Sequence, residues 1–151
     1  LYYIDKDNEK HRPIMIHRTV FGSIERFLGI LIEHFAGKFP LWLAPVQAIV
    51  LPINDDLVSY SEDISEKLTE AGLRVEVDRR TESLNKKVRE AQLQYVPLIL
   101  TIGGREKEAG TLSVRTLDGN VKYGVTHQRF LDTVLPHIRN RKLSLDIFGD
   151  K

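Results

Sequence analysis

The sequence predicts an α/β fold, a mixed β-sheet flanked by helices, over residues 46–142. Two observations carry this. Short β-rich runs alternate with amphipathic helical patterns, which implies parallel strand pairing. Near the end, two strand-like runs flank the turn signal Asp118-Gly119, which implies an antiparallel edge. A chain of 151 residues with 42% hydrophobic composition can bury a core of this kind.

Residues 12–21 are apolar and β-branched and read as a buried strand. Gly22-Ser23 follows, with Ser23 placed to cap a helix. Ile24, Phe27, Leu28, Leu31, Ile32 and Phe35 recur at helical spacing as one apolar stripe, and Gly37 is placed to end it. Pro40 and Pro45 flank Leu41-Trp42-Leu43-Ala44, a connection between two units, 1–45 and 46–151.

The second unit opens with a β-rich run, Gln47–Ile53. Asp55 and Asp56 start a helix that Gly72 ends. Leu73–Asp78 alternates as a strand, residues 83–95 pattern as a helix, and Pro97–Ile102 is a short apolar strand closed by Gly103-Gly104. Thr111–Leu117 and Val121–Tyr123 form the expected hairpin. Thr126 caps a last helix with Phe130, Leu131, Val134, Leu135 and Ile138 inward.

Composition excludes several classes. With no cysteine there is no disulfide framework and no thiolate metal site within the chain, which is compatible with a reducing compartment. No apolar stretch reaches the ~18 residues of a membrane span, and the N-terminus has no signal-peptide pattern, so a soluble, cytoplasmic protein is expected. The chain begins at Leu1, not at methionine, which suggests a fragment or a processed chain. The net charge of +1 hides an asymmetry: residues 54–73 carry six acidic groups against Lys67 alone, leaving +6 on the remainder. A polyanion would approach the basic remainder and avoid the acidic helix.

Three segments carry candidate chemistry. In the first, Arg26 falls in the opening turn of the helix after Ser23, where a cation opposes the helix dipole and a bound anion would relieve it. An ion pair with a nearby carboxylate is the competing reading. His17 lies in the apolar run, either as a hydrogen-bonded core residue or as a metal ligand. In the second, Arg79 and Arg80 end a strand, and Lys86, Lys87 and Arg89 follow in the first half of a helix. Cations beyond the carboxyl ends of parallel strands fit a phosphate backbone; the bland alternative is a charged surface helix with Lys86 and Glu90 paired. In the third, Glu106 follows Gly103-Gly104 and Arg115 lies in the next strand. Arginine can grip guanine and a carboxylate can accept from base amino or imino groups, although a surface ion pair is the commoner fate of both.

The run His17-Arg18-Thr19-Val20-Phe21-Gly22-Ser23-Ile24-Glu25-Arg26, extended through Trp42-Leu43-Ala44-Pro45, resembles motif 3 of class II aminoacyl-tRNA synthetases, specifically of threonyl type. Asp78-Arg79-Arg80, Lys86 to Gln92, Val96-Pro97, Gly103 to Glu106 and Ser113 to Thr116 continue the resemblance in order, over roughly residues 11–142. The resemblance implies that 1–45 is the end of the catalytic domain, a strand–helix remnant of its antiparallel sheet, and that 46–151 is an anticodon-binding domain. It implies Arg26 as the ATP-binding catalytic arginine and His17 as one of three zinc ligands that hold threonine. It also implies Arg89 as an RNA contact, with Lys86 and Lys87 beside it, and Glu106 and Arg115 as readers of the last two anticodon bases. Thr81 stands where many relatives carry asparagine, so that contact is not carried over. The implied parent is a homodimeric threonine–tRNA ligase using ATP, magnesium, zinc, threonine and threonine tRNA. Motifs 1 and 2 and the other zinc ligands are not visible here, so the chain is expected to be inactive alone and to bind neither zinc nor ATP tightly. The alternatives are a stand-alone tRNA-binding or regulatory module, or part of a prolyl, glycyl or histidyl synthetase.

Overall fold

A computed structural model describes residues 1–147; the last four residues of the 46–151 unit lie outside it. The chain order is β1 (Tyr3–Ile4), β2 (Lys10–His11), α1 (Ile24–Phe35), β3 (Ala48–Pro52), a 3-10 turn (Asp55–Leu57), α2 (Val58–Glu70), β4 (Val75–Val77), α3 (Leu84–Leu93), β5 (Leu98–Ile102), α4 (Gly104–Ala109), β6 (Thr111–Thr116), β7 (Val121–Thr126) and α5 (His127–Arg139). Five strands form one sheet in the order β4-β3-β5-β6-β7. β3 pairs parallel with β4 and β5, while β5–β6 and β6–β7 are antiparallel. This is the mixed sheet that the alternation of patterns predicts.

The two faces of the sheet are covered unequally. Period-2 alternation sends Ala48, Val50, Leu98, Leu100, Leu112 and Val114 to one face, where they meet Ile64 and Leu68 of α2 and Phe130 and Val134 of α5. Phe130 is fully buried there. Ile49, Leu51 and Ile99 point the other way, against Ala91, Leu84 and Val88 of α3. α3 is the helix on this second face, and its packing partners lie on β3 and β5. On the corresponding side of β6 and β7 lies a hollow lined by Ser113, Arg115, Val121 and Tyr123.

Pro40–Ala44 packs onto the sheet unit. Leu41 and Ala44 are 2% and 3% exposed. Gln47 donates to the Leu41 carbonyl at 2.9 Å, and the Arg74 guanidinium donates to the carbonyls of Trp42 and Ala44 at 2.8–3.0 Å. These bonds satisfy a stretch of chain that has no regular pairing of its own.

The N-terminal part departs from the expected strand. Residues 12–21 form no regular element and are exposed, with Ile14 at 92% and Ile16 at 88%. A strand needs a neighbour for its backbone groups, and among the described residues none lies beside this run. A small hairpin, β1–β2, precedes it, with Tyr3 opposite His11. α1 forms where its stripe indicates. The Ser23 side chain accepts from the Arg26 N–H, and Ala36 closes the helix in the left-handed conformation. No residue of α1 is fully buried, however, and Ile24, Leu28 and Ile32 are about half exposed or more. At Gly37, with φ of +76°, a Cβ would come within 3.3 Å of the Tyr95 ring. Glycine adopts this left-handed backbone without strain, and a side chain here would press on the Tyr95 ring.

Candidate nucleic-acid interface

The open half of the second sheet face is the candidate site. Because β5 and β6 are antiparallel neighbours, Ile99 stands opposite Arg115 and Thr101 opposite Ser113. Ile99 belongs to the α3 side, so Arg115 and Ser113 point to the same side, beyond the helix's cover. There a cavity of about 240 Å³ lies among Ile53, Leu84, Asn85, Val88, Thr101, Glu106, Ser113, Arg115, Val121 and Tyr123. The sheet thus brings Glu106 and Arg115, nine residues apart in sequence, to one concave surface.

The two do not form the surface ion pair that is the common fate of such residues. Among the described residues Arg115 has no carboxylate within 4 Å, and it is half-buried. Glu106 is held from behind: one carboxylate oxygen, Oε2, accepts from the Gly103 N–H at 3.0 Å, as the acidic residue of the first turn of α4. That bond fixes the side chain. The carboxylate's remaining acceptor capacity stays available. The short helix α4 was not legible in the sequence, because six residues of Gly-Arg-Glu-Lys-Glu-Ala offer no apolar stripe; its one signal was an acidic residue three positions after Gly103.

The basic cluster of Arg79–Arg89 is largely self-neutralised. Arg79 pairs with Glu62 at 2.5 Å. Arg80 bridges Asp78 and Glu90, each at 2.6 Å. The hydrogen bonds from Arg80 hold the Asp78 carboxyl below its usual range, and the two acceptors raise the Arg80 guanidinium above its own. Lys86 pairs with Glu82 at 2.6 Å and not with Glu90, which Arg80 has taken; the Glu82 carboxyl is lowered by that contact and the Lys86 amine raised.

Lys87 corrects the expectation of an exposed phosphate contact. It is 3% exposed, and its Nζ donates to the carbonyls of Pro52 and Asp78 at 3.3 Å each. The cause is helical position. Leu84, Val88 and Ala91 define the buried side of α3, and Lys87 falls on it. Its long stem reaches the carboxyl ends of β3 and β4, and the head satisfies two carbonyls that end the ladder. Arg89 is the member of the cluster that stays exposed with no acidic partner among the described residues. By helical geometry it shares a flank of α3 with Asn85, which lines the cavity, whereas Lys86 and Glu90 occupy the opposite flank.

A second hollow lies at the carboxyl ends of the parallel strands, among Asn54, Asp55, Asp56, Thr81, Glu82 and Lys87. Its acidic lining repels phosphate. Thr81 donates weakly to Asp55 at 3.4 Å. The rule that ligands bind beyond the carboxyl ends of strands therefore points here to a region that its own charges close to a polyanion, while the open face beside α3 carries the free cations.

His17 and Arg26 lie far from this arrangement in character. Both are exposed, and among the described residues neither side chain has an ion-pair partner. Among the described residues the one group of three metal-ligating side chains is Asp7, Glu9 and His11 on the β1–β2 hairpin, where His11 pairs with Asp7 at 2.7 Å. His17 is not in it, and among the described residues no such group includes it. Among the described residues no helix is long and apolar enough to cross a membrane.

Comparison with known proteins gives the family of the sheet unit. The family described as "Anticodon binding domain" matches residues 47–136. The chain is 63% identical over 145 residues to a threonine–tRNA ligase of Desulfatibacillum aliphaticivorans, covering 96% of this chain and 23% of that protein. It is 49% identical over 143 residues to one of Thermus thermophilus, covering 95% and 22%. Among solved structures, the RNA binding domain of threonyl-tRNA synthetase from Cryptosporidium parvum Iowa II superposes with a TM-score of 0.71 at 32% identity, covering 91% of this chain and 35% of that one. The chain thus spans less than a quarter of the length of these ligases. A matched segment that takes in the whole sheet, α3 and the open cavity face places the chain in the anticodon binding domain family.

Proposed function

We propose that this chain is the C-terminal part of a threonine–tRNA ligase and that it recognises the anticodon of threonine tRNA on the open face of its sheet. The carrying observation is the joint placement of Glu106 and Arg115 in one cavity without an ion pair between them, which leaves an acceptor and a forked donor free for base edges. Arg89, on the adjacent flank of α3, supplies a backbone contact; Lys86 can join it only by leaving Glu82. In the same reading residues 1–45 close the catalytic domain and 46–151 form the anticodon-binding unit. Arg26 contacts ATP, with magnesium, and His17 completes a zinc site with ligands from elsewhere in a dimeric, cytoplasmic enzyme that activates threonine. The exposed stripe of α1 supports this placement, since such a surface requires a partner.

The test is binding of the chain to a threonine anticodon stem-loop and to one with its guanine changed, at two salt concentrations. Arg115→Ala should lose preference for the cognate loop by about 5–150-fold, the worth of a good bidentate base contact. Arg89→Ala should weaken both loops equally and reduce the salt dependence. Equal losses on both loops for Arg115→Ala would remove the base-reading assignment.

A further inference from the structure

The hairpin β6–β7 is irregular at one point. Leu112 pairs with Val125 and Val114 with Lys122, so two residues of β7, Tyr123 and Gly124, oppose the single residue Ser113. Gly124 has φ of +65°, the left-handed conformation that a bulge of this kind needs and that glycine adopts freely. The bulge changes which face the strand presents. Val121 and Tyr123 line the cavity on the α3 side, and Val125, which regular alternation would put beside them, turns into the opposite core at 2% exposure. A regular strand would have to bring Val125 out or send Tyr123 in. The extra residue keeps both, and its effect is to hold a large aromatic ring 72% exposed on the wall of the cavity that Arg115 and Glu106 also line.

We propose that Tyr123 is a stacking platform for a nucleobase held by Arg115 and Glu106. Three features support it. The ring is flat, apolar and mostly exposed, and it has no aromatic or cationic neighbour against it among the described residues. It borders the same cavity as the two side chains able to read base edges. Its position is secured by a bulge, a device that re-aims side chains at binding sites. Single-stranded bases are recognised by hydrogen bonds at their edges together with stacking on an aromatic face; Arg115 and Glu106 provide the first and Tyr123 the second. The inference rests on the anticodon-binding reading and adds a residue of a different energetic class to it.

That class defines the test. Stacking tolerates any base, and the ring carries no charge. In the 151-residue chain, Tyr123→Ala should weaken binding to the cognate stem-loop and to the guanine-changed loop by the same factor, about 5–150-fold, with the salt slope unchanged. Tyr123→Phe, which keeps the ring, should remain within about twofold of the unmodified protein. The thermal midpoint of Tyr123→Ala should hold, because little of the ring is buried, and this separates lost binding from lost folding. A stem-loop carrying 2-aminopurine in turn at each anticodon position should report stacking at one position through quenching that Tyr123→Ala relieves. Wild-type binding by Tyr123→Ala, with Arg115→Ala still losing discrimination, overturns the platform alone. A Phe variant as weak as the Ala variant assigns the contact to the hydroxyl and overturns stacking. Unchanged binding for Tyr123→Ala, Arg115→Ala and Glu106→Gln together sinks the anticodon reading and the platform with it.

Discussion

Replacing Lys87 with methionine separates a structural cation from an RNA-binding one. Methionine keeps an unbranched stem of similar length and deletes the amino group. Lys87 donates to the Pro52 and Asp78 carbonyls, both at 3.3 Å, from a position 3% exposed. Hydrogen bonds from charged donors contribute about 1.5–3 kcal/mol when well formed. At 3.3 Å these two are long, so the lower half of that range applies to each. Against this, burying a thioether in place of an amine is favourable in itself. The net expectation is a loss of about 1–3 kcal/mol, or a fall of about 4–24 °C in midpoint for a unit of this size, since 1 kcal/mol moves a domain of 60–100 residues by about 4–8 °C. Lys87→Ala should cost more, because the packed stem is lost as well. Urea titration of the 151-residue chain, followed by far-ultraviolet circular dichroism, gives the stability, and stem-loop binding at low denaturant gives the function. The structure requires a shifted midpoint with an unchanged m-value and an RNA salt slope equal to that of the unmodified protein. An unshifted midpoint with a shallower salt slope would refute the buried placement and restore Lys87 as a phosphate contact.

Two further outcomes follow from the same geometry. Asp78 titrates below its usual range because Arg80 hydrogen-bonds its charged form, so its stabilising contribution is complete above about pH 4, the unfolded value, and is lost as pH falls through the lower folded value. Asp78→Asn should therefore cost about 1–3 kcal/mol at neutral pH, a difference that closes in strong acid; a pH-independent difference in urea midpoints would dismiss the ion pair as its source. In limited proteolysis, cuts should appear first within residues 1–39, where α1 has no fully buried residue, and not in Pro40–Ala44, which Gln47 and Arg74 hold down. Early cleavage at Leu41–Leu43 with α1 intact would contradict this.

Much of the fold was legible because its strands are short, apolar and punctuated. The continuous apolar runs of β3 and β5, the alternation of β6 and the stripes of α1, α2, α3 and α5 are local properties that any packing must respect. Ser23 and Thr126 both cap the helices they precede, because capping needs only the chain's own next turn. Residue identity likewise marked Arg89, Glu106 and Arg115 as candidates.

What the tertiary structure decided is which groups are free. Charges that look equivalent in sequence are sorted by neighbours distant along the chain: Glu62 takes Arg79, Glu90 takes Arg80, and the ends of β3 and β4 take Lys87. Pairing across 10 to 35 residues has no local signature. The apolar run 12–21 shows the converse, since β-propensity supplies a strand's residues but not its partner. Tyr123 was legible as a strand residue, yet its face depended on one extra residue at Gly124, and a shift of one exchanges the two sides of a sheet. Sequence determined the elements and their chemistry because those depend on neighbours in the chain; the binding face was decided in three dimensions, where a side chain is either spent on the fold or left for a ligand.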